Sequence, residues 1–370
     1  MQTTLCVVVF LTAWQQPARF PWKMEQKATA TYDATLNWTL KNPGFEAVEW
    51  IAISANPPNL PGQKIHSVKL SPGISEEIAE DSPLQRAFLR NRIPAKKEDK
   101  EPYLDSLSAV LSIQASLTSR KVVPAPPRGA PTALAPEPLP VQERKKYLRS
   151  SATVDFDSEE FRRWMKEEKL QRKSGEDDWA LARRYFFLIR ARYDFRPDAK
   201  GLRKASATAV KSEGDFSGIH ALFVALCRSQ GIPARTLVGR LAKSTQLVTP
   251  RGGGAALSNH QWCIRAEWWH PDLAWVPVDL MSNLGQDRKE NQAVKWFGAD
   301  PGDMIVFHVD FDVTLDPVVF EKKELVGTEG IAVWSMGKGK LDAQTLTENW
   351  TVKKIPRPKE KPAPKPDSKK

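Results

Sequence analysis

A proline-rich stretch divides the chain into two parts that have different hydrophobic periods. Residues 124–140 contain seven prolines in seventeen positions. Proline fixes φ and restricts the backbone of the residue before it, so we expect an extended, semi-rigid connector over residues 124–145. The same composition would suit a ligand for a partner domain, but a linker explains it without a partner.

Upstream of this connector, apolar residues recur at every second position. Within Ala109 to Ser119, the run 111–118 alternates apolar residues with Ser, Gln and Thr, which is typical of a strand with one buried face. The stretches Tyr32 to Leu40 and Glu46 to Ser54 predict two earlier strands, with an Asn-Pro-Gly turn at 42–44 between them. We therefore predict a small β-sandwich-like domain over residues 23–123.

Downstream of the connector, the hydrophobic period becomes helical. Asp157 or Ser158 can cap a first helix, and the apolar positions from Trp179 to Ile189 predict a second. A third helix is predicted from Ser217 to Gln230, because a glycine and then a proline follow it. Strands are predicted at Arg235–Arg240, His260–Trp268, Trp275–Leu280 and Met304–Leu315. This order of elements predicts an α+β core of helices packed on an antiparallel sheet.

The positive charge of the chain is concentrated at one end. The formal net charge is +11, and residues 351–370 contribute eight basic and two acidic residues to it. The sequence contains neither a zinc-finger spacing of Cys and His nor a basic heptad helix. We therefore expect no nucleic-acid partner. We interpret residues 351–370 as a disordered basic tail that can contact anionic surfaces.

The first 22 residues carry part of the pattern of a signal segment. Leu5 to Ala13 is an apolar run long enough for a signal-peptide core and too short to span a bilayer, but no Lys or Arg precedes Arg19. If residues 1–18 are a cleaved signal peptide, the protein is secreted or belongs to a bacterial-type envelope. If they are a misassigned start or a first strand, it is cytoplasmic. No apolar run is long enough for a transmembrane helix.

Separated motifs follow one another in the second part of the chain. They read GDFSGIHALF at 214–223, GIPAR at 231–235, HQW at 260–262 and WVPVD at 275–279. Over about residues 146–315, their order resembles the transglutaminase-like superfamily of papain-type cysteine enzymes. That family has a Cys at the third position of the first motif, a His at the start of HQW and an Asp at the end of WVPVD.

The resemblance implies a transglutaminase-like, or papain-like, core in which a Cys-His-Asp triad transfers acyl groups. A thiol at a helix N-terminus has a lowered pKa, because unpaired N–H groups and the helix dipole favour the thiolate. The His takes the thiol proton and the Asp orients the imidazole. His260 and Asp279 match the family's His and Asp. Phe216 occupies the nucleophile position, and a phenyl ring has neither a lone pair nor a proton to give, so the other two form a vestigial dyad.

Other residues are candidates for a displaced nucleophile. Ser217 lies one position further on, about 100° around the helix, where an N-cap role is the simpler explanation. Cys227 lies on the predicted buried stripe of its helix, and Cys263 faces away from His260 on its strand, so we expect both thiols to be unreactive. Three cysteines in all do not decide the cellular compartment.

Three tryptophans are candidates for binding residues. Trp262, Trp268 and Trp275 could line a groove for a peptide or polymer ligand, and core packing is the alternative. The histidines show no metal-ligand spacing, and neither a phosphate loop nor a dinucleotide fingerprint occurs, so we expect no metal and no cofactor.

The sequence leaves three functions open. The first is a pseudoenzyme that retains a transglutaminase-like domain as a binding or scaffolding module. The second is an active hydrolase or acyltransferase that uses a displaced nucleophile such as Ser217. The third is a structural, envelope-associated protein that relies on its sandwich and basic tail. The predicted segments are 1–22 (signal), 23–123 (β-rich domain), 124–145 (linker), 146–315 (transglutaminase-like core), 316–350 (β appendage) and 351–370 (tail).

Overall fold

The computed structural model describes most of the chain in separate stretches. They are residues 20–41, 45–53, 57–71, 76–78, 88–92, 106–126, 136–196, 203–242, 262–285, 295–314, 325–327, 333–339 and 345–356. The predicted signal peptide, the turn at 42–44 and most of the predicted tail lie outside these residues.

The described residues contain both helices and strands. The helices are α1 (Val141–Lys146), α2 (Glu159–Glu167), α3 (Asp178–Arg192), α4 (Ala205–Lys211), α5 (Phe216–Ser229) and α6 (Leu280–Gly285). The strands are β1 (Trp22–Lys41), β2 (Phe45–Ile53), β3 (Gln63–Ser71), β4 (Glu76–Ile78), β5 (Phe88–Arg92), β6 (Ser106–Pro124), β7 (Asp194–Phe195), β8 (Glu213–Gly214), β9 (Ala234–Leu241), β10 (Trp262–His270), β11 (Ala274–Val278), β12 (Ala299–Asp300), β13 (Met304–Val309), β14 (Asp312–Thr314), β15 (Leu325–Gly327), β16 (Val333–Gly339) and β17 (Thr345–Ile355).

Two larger antiparallel sheets organise these strands. The core sheet has the order β11-β10-β9-β13. The N-terminal sheet has the order β12-β6-β1-β17, and β3 also pairs with β6. A third sheet has the order β16-β2-β5-β4. The predicted fold class, helices on an antiparallel sheet with a strand-rich region before them, is confirmed.

The helices begin where the sequence offers capping side chains. Ser158 caps α2 by accepting a hydrogen bond from the N–H of Phe161, and Asp177 caps α3 in the same way. Helix α5 is buried on all sides from Ser217 to Arg228, as expected for a helix at the centre of a core. It ends before Gly231, whose φ of +79° is a left-handed conformation that glycine adopts without strain.

Helix α5 packs on one face of β10. Ile264, Ala266 and Trp268 belong to the same buried cluster as the apolar residues of α5. Cys263 and Trp269 pack in a different cluster, on the other face of the strand. The predicted alternation of β10 is therefore confirmed for its described side chains, and it directs every second residue of the strand toward α5.

The N-terminal sheet packs against the core sheet. Buried residues of β1 and β6 form one cluster with Ile305 and Phe307 of β13. The side-chain amide of Gln63 bonds both the N–H and the carbonyl of Val306, at 2.7 and 3.0 Å. The indole N–H of Trp350 donates to the carbonyl of Leu241 at 3.0 Å. These contacts fix the strand-rich region to the core.

The C-terminal strands complete sheets that begin at the N-terminus. Strand β17 pairs with β1, and β16 pairs with β2. Residues 316–350 therefore do not form a separate β appendage in their described part. The prediction of disorder from Thr351 onward is wrong for Thr351–Ile355, which are the end of β17. Trp350 and Val352 alternate with exposed polar residues there, a strand pattern that the neighbouring lysines and prolines masked.

Three other predicted boundaries also differ from the structure. The predicted linker contains the start of α1, at Val141. The strand predicted to reach Leu280 ends at Val278, and Leu280 begins α6. The strand predicted at Met304–Leu315 is interrupted at Asp310, whose φ is +60°. No helix in the described stretches is both long and apolar enough to cross a membrane.

Candidate functional site

The site predicted from the motifs lies at the N-terminus of α5. Asp215 is the N-cap residue, and its carboxylate accepts a hydrogen bond from the N–H of Gly218 at 2.8 Å. Phe216 is therefore the first residue of the helix. Its half-buried ring meets the ring of Phe195 edge-on, with centroids 4.7 Å apart. An aromatic pair occupies the position where the resemblance implies a thiol.

Ser217 does not cap the helix, contrary to the prediction. Its side chain is 1% exposed, and its hydroxyl donates to the capping carboxylate of Asp215 at 3.0 Å. Asp215 is better placed to cap because its carboxylate reaches the N–H of the third residue of the helix. The Ser217 hydroxyl is thus fixed inside the helix cap.

His220 lies one turn further along α5 and is completely buried. Its Nδ1 is 2.6 Å from the carbonyl oxygen of Phe216. A carbonyl can only accept a hydrogen bond, so Nδ1 carries the proton and Nε2 carries a lone pair. Nε2 has no hydrogen-bond partner among the described residues. Burial lowers the pKa of His220 to about 4, so the ring is neutral at pH 7.

Asp279 lies at the junction between β11 and α6. Its carboxylate accepts hydrogen bonds from the backbone N–H and the hydroxyl of Ser282, both at 2.8 Å, and so caps the first turn of α6. Arg265 lies across the sheet, one position beyond the pair Ala266–Val278, and its Nε is 3.5 Å from Asp279 Oδ2. His260 lies outside the described residues, which resume at Trp262. Among described residues, the carboxylate thus contacts Ser282 and Arg265.

Neither described cysteine has the properties of a nucleophile. Cys227 is fully buried in α5, and burial raises the pKa of its thiol. Cys263 packs on the face of β10 that points away from α5, and burial raises the pKa of its thiol to about 12. Both thiols are free of disulfides.

The tryptophans predicted to line a groove belong to the core instead. Trp268 is completely buried beneath the helices, and Trp275 is 5% exposed and stacks on the guanidinium of Arg235. Neither ring is open to a ligand, so the groove prediction is wrong for these two residues. Their indoles fill the two faces of the core sheet, as the alternative explanation stated. The side chain of Trp262 lies outside the described residues.

A buried ion network that the motifs did not reveal lies on the opposite face of the core sheet. Glu267 of β10 pairs with Arg120 of β6 and with Arg235 of β9. Asp300 of β12 pairs with Arg120 and with Arg265. Burial alone would raise the pKa of Glu267, but the charges and hydrogen bonds of Arg120 and Arg235 outweigh it and hold that pKa below its usual value. The sequence signal for this network is the presence of two charged residues, Arg265 and Glu267, at alternate positions of the tryptophan-rich strand β10.

A small cavity of about 10 Å³, partly open to solvent and large enough for about one water molecule, lies beside this network. Leu60, Gln63, Arg120, Glu267 and Met304 contribute to its walls. It opens between the N-terminal sheet and the core sheet, away from α5, so it is distinct from the site at Phe216. The described residues contain no group of three or more His, Cys, Asp or Glu placed to hold a metal ion.

Comparisons with known proteins point to the fold that the motifs indicate. Residues 166–280 match the model of the transglutaminase-like superfamily. A candidate cysteine protease from Cytophaga hutchinsonii has a similar structure, with a TM-score of 0.50 and 12% sequence identity over 90% of this chain and 93% of that one. A comparison with curated proteins gives no match.

Two structures of a second protein were also found. The periplasmic domain of TgpA from Pseudomonas aeruginosa gives a TM-score of 0.34 at 14% identity, over 70% of this chain and 92% of that one. Its complex with ethylmercury gives 0.32 at 15% identity, over 68% and 93%. The family model and the Cytophaga structure carry the conclusion: the chain has a transglutaminase-like fold, and residues 166–280 match the model of that superfamily.

Proposed function

We propose that this domain does not transfer acyl groups through a thiol and acts as a binding or scaffolding module. One observation carries the proposal: the first residue of α5, where the family resemblance requires the nucleophilic Cys, is Phe216. Acyl transfer by this family's chemistry begins with a thiolate at that position. A phenyl ring cannot form the covalent intermediate.

The surroundings of Phe216 support the same proposal. Phe216 and Phe195 present half-buried rings at the place of the former nucleophile, and such rings suit apolar contact with a peptide or polymer. His260 and Asp279 stay assigned, as a prediction, to a vestigial dyad.

The alternative of a hydrolase or acyltransferase that uses Ser217 has less support. Ser217 is 1% exposed and its hydroxyl donates to the carboxylate that caps the helix, so an acyl substrate has no access to it in this arrangement. The third hypothesis, an envelope-associated structural protein, stays a prediction from the N-terminal segment and the basic tail.

Thiol reactivity of a Phe216→Cys variant tests the proposed assignment of this position. All proteins carry Cys6→Ser, and alkylation by iodoacetamide is followed at pH 7 by mass spectrometry. We expect the introduced thiol to react at least about tenfold faster than the thiol of a Phe187→Cys control, because only the former lies at a helix N-terminus. Phe187 is also half-buried but lies inside α3.

A second variant tests the contribution of the predicted histidine. Adding His260→Ala to Phe216→Cys should remove most of the rate advantage, because the imidazole would no longer take the proton. If the introduced thiol reacts no faster than the Phe187→Cys control, position 216 is not the nucleophile position. The assignment of His260 and Asp279 to a vestigial dyad would then also be wrong.

A further inference from the structure

An aromatic patch lies on the surface where β1 meets α3. It consists of Phe20, Trp22 and Trp179. Trp22 is 37% exposed and stacks on Trp179, with centroids 6.1 Å apart and planes 21° apart. Phe20 packs edge-on against Trp179 and lies 4.2 Å from the ring of His270. Few large apolar side chains among the described residues are as exposed as Trp22.

Three acidic residues lie next to Trp179 and His270, on one side of this patch. Asp177 and Asp178 directly precede Trp179 at the start of α3. Asp272 lies beside His270, 3.9 Å away, and its side chain is 53% exposed. One of the three carboxylates, that of Asp178, is paired with Arg172. Aromatic rings bordered by carboxylates favour a ligand that is apolar and positively charged.

The register of β17 directs the end of the chain toward this patch. Strand β17 runs antiparallel to β1, and its last residue, Ile355, pairs with Thr31. The chain therefore leaves β17 in the direction of Trp22, which lies nine positions before Thr31 on β1. At about 3.3 Å per residue, that distance is about 30 Å. No described strand pairs with residues 22–30 of β1 on the side of β17.

Residues 357–370 have a composition that suits the aromatic and acidic residues of the patch, and they are long enough to cover the distance to it. This segment contains four prolines, six basic residues and two acidic ones. Proline has no N–H to donate, so the segment is not suited to extend the β17 ladder. A polyproline II conformation rises about 3.1 Å per residue, so about ten residues span the distance to Trp22.

We propose that residues 357–370 dock on the aromatic patch of the same chain. Prolines pack against Trp22 and Phe20, and lysines lie near Asp177 and Asp272. Grooves lined with aromatic side chains bind proline-rich segments in this way, because the polyproline II conformation loses little entropy on binding. Docking of this segment does not depend on which residue occupies position 216.

A peptide of residues 357–370, labelled with a fluorophore, tests recognition by the patch. The protein partner is a chain that ends at Pro356, and binding is followed by fluorescence anisotropy. We expect binding that Trp22→Ala weakens at least about tenfold and that Trp164→Ala, on α2, leaves unchanged. Asp272→Asn should weaken binding less, and added salt should weaken it further. If the peptide fails to bind, or binds equally to the Trp22→Ala protein, the proposal is wrong.

Binding to the full chain tests docking within one molecule. A tethered segment has an effective concentration in the millimolar range, so the full chain should bind the labelled peptide at least about tenfold more weakly than the shortened chain. Equal affinities would mean that the patch is open to a different partner, and would overturn the proposal.

Trypsin gives an independent test that needs no shortened chain. Arg357, Lys361 and Lys365 precede prolines, which leaves the bond after Lys359 as the informative cleavage site. Docking should protect this bond, so Trp22→Ala should speed its cleavage at least about fivefold relative to Trp164→Ala. Equal cleavage rates in the two variants would contradict docking.

Discussion

Two groups of buried polar residues lie on opposite faces of the core sheet, and they are paired to different degrees. In the ion network, Glu267 and Asp300 each contact two arginines. Nε of Arg120 and Nε of Arg265 nevertheless have no hydrogen-bond partner among the described residues. In the candidate site, Nε2 of His220 has no hydrogen-bond partner among the described residues. The same holds for both polar atoms of the Asn283 amide, one turn after Asp279 in α6.

The ion network holds two parts of the fold together. Its carboxylates are each compensated by two arginines, as buried charges must be, and Arg120 joins β6 and β12 to the core through them. In the candidate site the atoms without a partner among the described residues belong to the uncharged side chains of His220 and Asn283, and a buried polar atom without a partner costs stability.

Removal of Glu267 should have the largest effect. Glu267→Ala leaves Arg120 and Arg235 buried without their shared carboxylate, which should lower the free energy of unfolding by about 3–5 kcal/mol. Urea denaturation measures this loss. Asp178→Ala, which removes the partly exposed partner of Arg172, should cost less than about 1 kcal/mol. Similar losses in the two variants would contradict the role given to the network.

The candidate site should respond to pH through His220. The pKa of His220 in the folded protein is about 4, below the usual value of about 6.5. As the pH falls, the ring is therefore protonated in the unfolded chain at a higher pH than in the folded protein. The stability that the neutral ring provides is complete above pH 6.5 and is lost as the pH falls toward 4. His220→Gln should reduce this loss by about 2–3 kcal/mol.

Urea denaturation between pH 7 and pH 4 measures the slope. Burial also lowers the pKa of His270, so part of the slope should persist in the His220→Gln protein. An unchanged slope in His220→Gln would show that the ring is not buried as described.

The helix cap should show the smallest effect. Asp215→Ala removes the N-cap of α5 and should cost about 1–2 kcal/mol. Ser217→Ala keeps the bond from the Gly218 N–H to Asp215, so it should cost less than Asp215→Ala. Thermal unfolding compares the two variants. A larger loss for Ser217→Ala would reverse the assignment of the cap.

Local patterns in the sequence predicted the elements of the core well. The helix around Leu222 and the alternating strand from Ile264 to Trp268 carry their periods within a few residues. The motifs also predicted a helix start next to Phe216 and a strand up to Leu280. The helix begins one residue earlier than predicted, at Phe216, and the strand ends at Val278, so that Asp279 follows it. These features depend on neighbours in the sequence, which is why one sequence is enough to predict them.

Features that depend on distant residues were not predicted. Strand β17 pairs with β1 more than 300 positions earlier, and no local signal connects the two. Arg120 of β6, in the N-terminal sheet, pairs with Glu267 of the core sheet, and no local signal connects these two residues either. For Trp268 and Trp275 the sequence leaves both a groove and core packing open, because a sequence does not show what covers a strand face. The pairing of Asp279 with Arg265 likewise depends on the register of β10 and β11.

The most direct test of the central claim is nucleophile labelling of the wild-type site. A protein with Phe216 intact and Cys6→Ser is treated at pH 7, without denaturant, with iodoacetamide and separately with a fluorophosphonate, and the modified residues are identified by mass spectrometry. A domain without a nucleophile should show no rapid labelling of Cys227, Cys263 or Ser217. Rapid stoichiometric labelling of one of them, lost on His260→Ala, would contradict the account and show a working nucleophile.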